Sequence, residues 1–265
     1  MELIYNNLIR DTFYSFLPRG NINLNNDDNI ESNYAICMTP RVGSTALCDA
    51  LAHTRLLGAP DEFFNMRGPM QMYIDRYKPK TFAEYISSIK RNCSLGDVFG
   101  FKTIYFDFVP LNDNLILGSY LKNLKYIFLS RKDIVKQAIS FALATKRNFW
   151  HITCDIDRVK LQHIEYDDDL IVNSINFIMA QNRQWERFYL KKNINPLRIV
   201  YEDIQKDMLQ CVQKCGDFIN GVHPENILVS FVKLAQDDNL DWENRFYDAH
   251  RNFSLETITN MLIDH

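Results

Sequence analysis

Long apolar runs, an excess of positive charge and clustered cysteines are all missing from this 265-residue sequence. No stretch approaches the ~18 consecutive apolar residues of a membrane-spanning helix. At the N-terminus Asn6, Asn7, Arg10 and Asp11 interrupt the apolar residues, which is not the pattern of a signal peptide. The formal net charge of −3 argues against general nucleic-acid binding, because a surface that follows phosphates needs a basic excess.

The six cysteines are scattered along the chain and do not form the framework of a small secreted domain. Cys211 and Cys215 lie four residues apart on one face of a predicted helix, but no matching histidine pair accompanies them to complete a zinc site. The pattern favours reduced core thiols in a cytoplasmic protein and predicts no metal site.

Apolar periodicity predicts the fold class. Hydrophobic residues make up 46% of the chain, which is enough for a sizeable core. Short apolar runs alternate with amphipathic helical segments, so we expect an α/β fold with a mainly parallel sheet flanked by helices. Residues 1–33 are predicted to be an N-terminal extension with a mobile loop, and residues 34–265 a single domain.

The predicted strands all end in polar residues. They cover residues 34–38, 98–104, 125–129 and 197–201, and helices are predicted from 45, over 82–89, over 115–122, from a cap at 133, over 171–189 and over 204–215. Segments 58–80 and 151–169 are predicted to be irregular or loops. The carboxyl ends of parallel strands share one edge of the sheet, where ligands bind. Arg41, the stretch after Lys102, Arg131 and Tyr201 are therefore expected near one another.

The first strand leads into a candidate anion-binding loop, Thr-Pro-Arg-Val-Gly-Ser-Thr, at residues 39–45. Gly43 permits close approach of the backbone to a ligand. The free N–H groups and the dipole of the following helix favour an anion at its start. Ser44 and Thr45 can cap that helix or donate to phosphate oxygens. Arg41 adds a planar, permanently charged fork.

This loop differs from the P-loop of nucleoside-triphosphate enzymes. Met38 stands where that motif has its first glycine, and Ser44 stands where it has its lysine. The cation instead precedes the glycine, at Arg41. The loop is therefore expected to bind a phosphate-like group without the usual triphosphate and magnesium arrangement. An ordinary strand, turn and capped helix is the alternative.

Residues 39–48 resemble the 5′-phosphosulfate loop of sulfotransferases, and the continuation Gly58–Phe64 resembles the Stf-zero family of these enzymes. The resemblance extends to Phe99–Lys102, to the segment from Ser130 to Ser140, and to Pro196–Asp203, in the family's order. It implies a P-loop-like sulfotransferase fold from about residue 34 to about residue 247.

The resemblance implies that 3′-phosphoadenosine 5′-phosphosulfate is the sulfuryl donor and that no metal is needed. The 5′-phosphate would be held by Arg41, Gly43, Ser44, Thr45 and Ala46. In the superfamily an arginine and a serine eight residues later hold the 3′-phosphate. Lys132 lies eight residues before Ser140 and Arg131 nine, so either cation could fill this role. Tyr201, in the segment Tyr-Glu-Asp, would contact the nucleotide, and the alternative is a hydrogen-bonded tyrosine of the core.

Glu62 is the candidate general base, with Arg41 as the second catalytic residue. Glu62 stands in Pro-Asp-Glu-Phe-Phe, which holds a carboxylate beside aromatic surface, and it matches the family's expected base. The alternative is that Asp61 and Glu62 are loop or capping acids. His53 and His151 are rival bases, and Phe149 and Trp150 are candidates for stacking on the nucleotide or sugar.

We therefore expect a sulfotransferase that acts on a hydroxyl of a carbohydrate or glycolipid-type acceptor. The alternatives are a P-loop-like nucleotide kinase and a nucleotide-binding protein that has lost transfer activity. The expected partner is a small-molecule or sugar acceptor, with a second copy of the chain left open. Two departures from the family pattern, Val42 for a hydroxyl residue and Ala59 for an arginine, could alter the acceptor or the activity.

Overall fold

The computed structural model describes residues 30, 32–113, 118, 120–148, 164–227 and 237–250. In chain order its elements are β1 (Ser32–Met38), α1 (Ser44–His53), α2 (Pro69–Tyr77), α3 (Phe82–Cys93), β2 (Val98–Ile104), α4 (Tyr105–Asp113), β3 (Lys125–Ser130), α5 (Ile134–Arg147), α6 (Asp168–Lys192), β4 (Leu197–Val200), α7 (Tyr201–Lys206), α8 (Met208–Ile219) and α9 (Asp237–Ala249).

The four strands form one sheet in the order β2-β1-β3-β4, and every neighbouring pair is parallel. The predicted α/β fold with a parallel sheet flanked by helices is therefore confirmed. Between β1 and β3 the strand order reverses, because the chain continues from β1 to one side and from β3 to the other. Ligands of open parallel sheets bind outside the strand ends at this reversal.

Alternate side chains of the strands face two cores. One face of β1 and β2, with Ala35 and Phe101, packs against α3, α4 and the part of α6 that carries Trp185. The opposite face, with Ile36 and Ile104, packs against α1 and α8. A third cluster joins α5, α6 and α9, and includes Val135, Ile139 and Ala142, as predicted for α5. Asp133 caps α5 as predicted, since its carboxylate accepts from the N–H of Lys136 at 2.9 Å.

Three predicted boundaries are wrong. Tyr201 begins α7 and does not end a strand, because β3 ends at Ser130, the partner of Val200. The helix predicted over 204–215 is divided at Asp207, whose side chain caps α8 through the N–H of Gln210 at 2.9 Å. The acids Asp168 and Asp169, predicted to lie in a loop, form the first turn of α6.

Three helices were not predicted, namely α2, α4 and α9. Segment 58–80 contains α2, which begins at Pro69, and α4 directly follows β2. Within the helix predicted over 115–122, residues 115–117 and 119 lie outside the described residues, as do residues 1–29 and 151–163. Within the described parts of the chain, no helix has the length and hydropathy needed to cross a membrane.

A glycine in β2 tests the packing between neighbouring strands. A methyl group added at Gly100 would lie 2.2 Å from Cζ of Tyr34, which is fully buried and donates through its hydroxyl to the Leu57 carbonyl at 2.7 Å. We expect Gly100→Ala to lower the free energy of unfolding by about 1–3 kcal/mol, since the ring has no free volume to move into. Urea unfolding measures the change.

Gly118→Ala is the control, because there the added methyl meets no described atom within 4 Å. Equal stability of the Gly100→Ala and Gly118→Ala variants would contradict the packing described for Tyr34.

Candidate active site

The loop between β1 and α1 has an unusual backbone. Arg41 lies in the left-handed region with φ 67°, and Gly43 does so with φ 78°. Gly43 is the residue immediately before α1, and no side chain caps the helix there. The structure therefore gives Ser44 and Thr45 no capping role. The N–H groups of Ser44, Thr45 and Ala46 form the uncapped first turn, which is an arrangement that binds anions.

Glycine is also required at position 43 by its neighbour. A methyl group added there would lie 2.7 Å from Cδ2 of Tyr201, so the ring of Tyr201 covers the loop backbone. Val42, the residue that departs from the family pattern, is fully buried in the core beneath α1. Its side chain fills the core below the loop, where a hydroxyl would need a buried partner.

Hydrogen bonds from other elements hold the loop in this form. Gln137 of α5, which is fully buried, donates through Nε2 to Thr39 Oγ1 at 2.9 Å and to the Pro40 carbonyl at 2.7 Å. Trp185 of α6 donates through Nε1 to the Met38 carbonyl at 3.1 Å. The carbonyl groups of Met38 and Pro40 are therefore satisfied by side chains of α5 and α6.

Two guanidinium groups meet at the reversal of strand order. Arg41 donates through Nε to Ser140 Oγ at 3.0 Å, and Arg131 Nη1 lies 3.5 Å from the Arg41 carbonyl. The Arg131 guanidinium stacks on the Tyr201 ring, 4.5 Å from its centroid. Burial, and then the charge of Arg131, lower the pKa of Arg41. The buried Nε of Arg131 has no hydrogen-bond partner among the described residues. This arrangement suits a multiply charged anion with several acceptor oxygens.

The structure separates the two cations that the sequence left as alternatives. Arg131 lies against Arg41 and Tyr201. The Lys132 residue is exposed, and its backbone N–H is bound by the Glu202 carboxylate at 3.1 and 3.2 Å. Arg131 is therefore the cation that shares the site with Ser140.

Glu62 reaches the same edge of the sheet from the other side. The Asp61 carbonyl accepts from the N–H of Lys102 at 3.0 Å, which attaches this segment to the outer edge of β2. Phe63 and Phe64 anchor it, since both are buried and pack on Phe99 and Phe101. The aromatic context expected for Glu62 is therefore present, with the rings beneath the segment.

Lys102 links Glu62 to the loop, a role that its position in the sequence did not indicate. Its Nζ lies 3.4 Å from Glu62 Oε1 and 4.0 Å from Asp61 Oδ1, and it donates to Thr45 Oγ1 at 3.2 Å. Only 4% of the Lys102 side chain is exposed, against 20% for Glu62. The available signal was a lysine inside the apolar strand Val98–Ile104.

The charge of Lys102 is maintained by its neighbours. Burial by itself lowers the pKa of Lys102, but Cys48, Glu62 and Asp61 act in the opposite direction, and the net pKa is raised. Burial also raises the pKa of Cys48 to about 12, so this thiol is neutral at pH 7. The two carboxylates are therefore the counter-charges that keep Lys102 protonated.

The rival residues do not reach this site. His53 lies in the last turn of α1, where its Nδ1 is 2.7 Å from the Asp49 carbonyl. Nine residues of helix place it roughly 13 Å along the axis from Ser44. His151, Phe149 and Trp150 lie outside the described residues. In the described ranges, no three His, Cys, Asp or Glu side chains converge to hold a metal ion.

Comparison with known proteins identifies relatives of this chain. A sequence model of the Stf0 sulphotransferase family matches residues 33–107 and 102–249. The trehalose 2-sulfotransferase of Mycolicibacterium smegmatis is 22% identical, over 68% of this chain and 80% of that protein.

Two solved structures are also similar. A sulfotransferase from Alicyclobacillus acidocaldarius gives a TM-score of 0.48 at 16% identity, covering 86% of this chain and 98% of that chain. The sulfotransferase domain from the curacin biosynthetic pathway gives 0.45 at 15%, covering 88% and 96%.

The contact of Gly43 with Tyr201 gives a test of the loop geometry. We expect Gly43→Ala to lower the free energy of unfolding by more than the about 1–2 kcal/mol that left-handed backbone costs an ordinary residue, because it also displaces the Tyr201 ring. Gly221→Ala is the matched control, since Gly221 has φ 77° but no described atom within 4 Å of an added methyl. Urea unfolding compares the two variants, and equal losses would contradict the contact.

Proposed function

The chain belongs to the Stf0 sulphotransferase family, and from this premise we propose that it transfers a sulfuryl group from 3′-phosphoadenosine 5′-phosphosulfate to a hydroxyl group of a carbohydrate or glycolipid-type acceptor. The observation that carries the proposal is the pair of guanidinium groups, Arg41 and Arg131, beside the uncapped start of α1. When bound, the donor supplies the sulfuryl group and its 5′-phosphate leaves with the nucleotide.

The residues present fit a donor with two separate phosphate groups. Arg41 and the N–H groups of residues 43–46 would hold the 5′-phosphate, since they lie in the loop after β1 and at the start of α1. Arg131 and Ser140 would hold the 3′-phosphate, and the unpartnered Nε of Arg131 offers a donor for it. The Tyr201 ring, stacked on Arg131, keeps this guanidinium in place.

The acceptor side contains the groups that move a proton. Glu62 would accept the proton of the acceptor hydroxyl at one of its carboxylate oxygens. Lys102, between Glu62 and Thr45, brings a positive charge to the place where negative charge spreads during sulfuryl transfer. Glu62 and Arg41 are therefore proposed as catalytic residues. The carbohydrate class of acceptor is supported by the relative that is named as a trehalose 2-sulfotransferase.

We also propose that residues 34–265 form one catalytic domain in a cytoplasmic protein. The continuous sheet and the family match from residue 33 to residue 249 support the single domain. The described free thiols of Cys37, Cys48, Cys93, Cys211 and Cys215 agree with a reducing compartment. Assembly as a homodimer stays a prediction.

The first test separates the cations of the proposed 3′-phosphate site. Arg131→Ala should weaken binding of adenosine 3′,5′-bisphosphate by about 10- to 100-fold, because a charge-assisted hydrogen bond is lost. Lys132→Ala, the matched control, should change affinity less than about threefold, since its side chain is solvated. Calorimetry without magnesium measures both. A larger loss for Lys132→Ala would transfer the role to Lys132, and equal affinity for AMP would remove the 3′ site.

The second test addresses the reaction. The unaltered chain should transfer labelled sulfuryl to at least one member of a panel of sugars that begins with trehalose. Glu62→Gln should lower turnover by roughly 10²- to 10⁴-fold, the usual contribution of a positioned base, while the affinity for adenosine 3′,5′-bisphosphate is retained.

Asp61→Asn is the comparison for Glu62→Gln, because asparagine keeps an oxygen for the N–H of Glu62, which Asp61 Oδ1 accepts at 2.8 Å. Its effect on turnover should be mild. Near-normal turnover of Glu62→Gln would show that the base lies elsewhere. Nucleotide binding without transfer to any acceptor would favour a binding protein, and phosphoryl transfer from ATP would favour a kinase.

A further inference from the structure

The carboxylate of Glu62 has a different partner on each oxygen. Oε1 faces Lys102, and Oε2 accepts a hydrogen bond from Asn65 Nδ2 at 2.5 Å. The lysine joins Glu62 to the phosphate-binding loop. The asparagine contacts it from the opposite side and takes no part in the donor site described above.

The orientation of the Asn65 amide follows from its other contacts. Asn65 Oδ1 accepts from the backbone N–H of Arg67 at 3.0 Å and lies 3.4 Å from Arg67 Nε. An amide oxygen has no hydrogen to donate, so these two donors identify the oxygen side of the group. The NH₂ side must therefore face Glu62.

Backbone bonds fix the position of Asn65 as well. Its N–H donates to the Glu62 carbonyl at 3.0 Å, which closes the turn over Phe63 and Phe64. Its carbonyl accepts from the N–H of Met70 at 2.9 Å, in the first turn of α2. The amide that contacts Glu62 is thus held by a turn whose two aromatic residues are buried in the core.

A buried acid, Asp107, pairs with Arg67, the residue that contacts Asn65 Oδ1. Arg67 Nη2 pairs with Asp107 Oδ2 at 3.0 Å, and only 3% of the Asp107 side chain is exposed. Asp107 belongs to the first turn of α4, directly after β2, the strand that carries Lys102. Arg67 is therefore anchored to the same strand-and-helix unit that holds the other partner of Glu62.

Resting on the proposed function, we propose that Asn65 is a positioning residue that fixes the Glu62 carboxylate for proton transfer. A neutral amide that donates to a carboxylate stabilises its charged form and adds no competing charge. With Lys102 on the other oxygen, each carboxylate oxygen has its own partner, and together the two partners fix the orientation of the group.

The charged groups that bear on Glu62 come from several elements. Lys102 on β2, Asp61 on its own segment, and Arg67, paired with Asp107 on α4, carry the charge, whereas the Cys48 thiol on α1 is titratable but neutral at pH 7. Of the side chains that contact the Glu62 carboxylate, Lys102 is charged and Asn65 is neutral, so an acid at position 65 changes the local charge directly.

Asn65→Asp is the decisive variant, because it keeps the shape of the side chain and replaces the donor by a like charge. The pH below which turnover falls should move upward by about one unit or more, and turnover should recover above it. Asn65→Ala should lower kcat by about 10- to 100-fold, since a hydrogen bond to a charged group is lost. Neither variant should change the affinity for adenosine 3′,5′-bisphosphate.

Asn92→Ala is the control, since Asn92 Nδ2 donates to the Ser88 carbonyl at 2.8 Å on the exposed side of α3. It should leave kcat, the pH profile and nucleotide affinity unaltered. A purely structural role for Asn65 would lower stability and nucleotide affinity but would not move the pH profile. An unchanged pH profile in Asn65→Asp would overturn the proposal.

A second measurement does not depend on activity. The Asn65 side-chain amide resonances of the full chain, assigned by their loss in Asn65→Ser, should titrate with pH and should shift in Glu62→Gln. Asn65 amide resonances that do not shift in Glu62→Gln would contradict the contact between Asn65 and Glu62. Absence of transfer by the unaltered chain would contradict the proposed function, and the resonances would then decide separately on the contact between Asn65 and Glu62.

Discussion

The hydrogen bonds from Gln137 to Thr39 and Pro40 hold the loop on which the rest of the site depends. Gln137 belongs to α5, the helix that also carries Ser140, and Ser140 accepts from Arg41. The loop after β1 is therefore shaped by the helix after β3. This is possible because β1 and β3 are parallel neighbours whose carboxyl ends meet, with Met38 opposite Leu129. The proposed sites for the two phosphates are thus connected by one buried side chain, and a change in either unit is expected to affect both.

The site also concentrates positive charge, since Arg41, Arg131 and Lys102 all lie at this edge of the sheet. Arg41 and Arg131 lie next to each other, and the lowered pKa of Arg41 reflects both its burial and this neighbour. Stacking on Tyr201 holds Arg131 without neutralising it. Lys102, by contrast, has Glu62 and Asp61 as counter-charges. The edge of the sheet thereby has one half with two neighbouring guanidinium groups and one half in which a lysine is paired with two carboxylates. On the proposed function these are the donor half and the acceptor half.

Much of the fold was predictable because β1, β2 and β3 are apolar runs and Asp133 is a clear helix cap. The misses have local causes. Gly68 and Pro69 favour an irregular prediction for segment 58–80, although proline is favourable in the first turn of a helix, where Pro69 begins α2. The helix α4 could not be predicted because Pro110 lies inside it and its apolar residues do not form a clear helical stripe. The assignment of Arg131 over Lys132 could not come from spacing, since it depends on which side chain faces Tyr201 after β3 ends.

Lys102 shows most clearly what only the tertiary structure provides. In sequence it is one cation in an apolar strand, distant from Thr45 and from Glu62. Its position in β2, paired with Ile36 of β1, brings its ammonium group to both of them. The distance between the proposed phosphate-binding loop and the proposed base is therefore set by one buried side chain and the register of two strands.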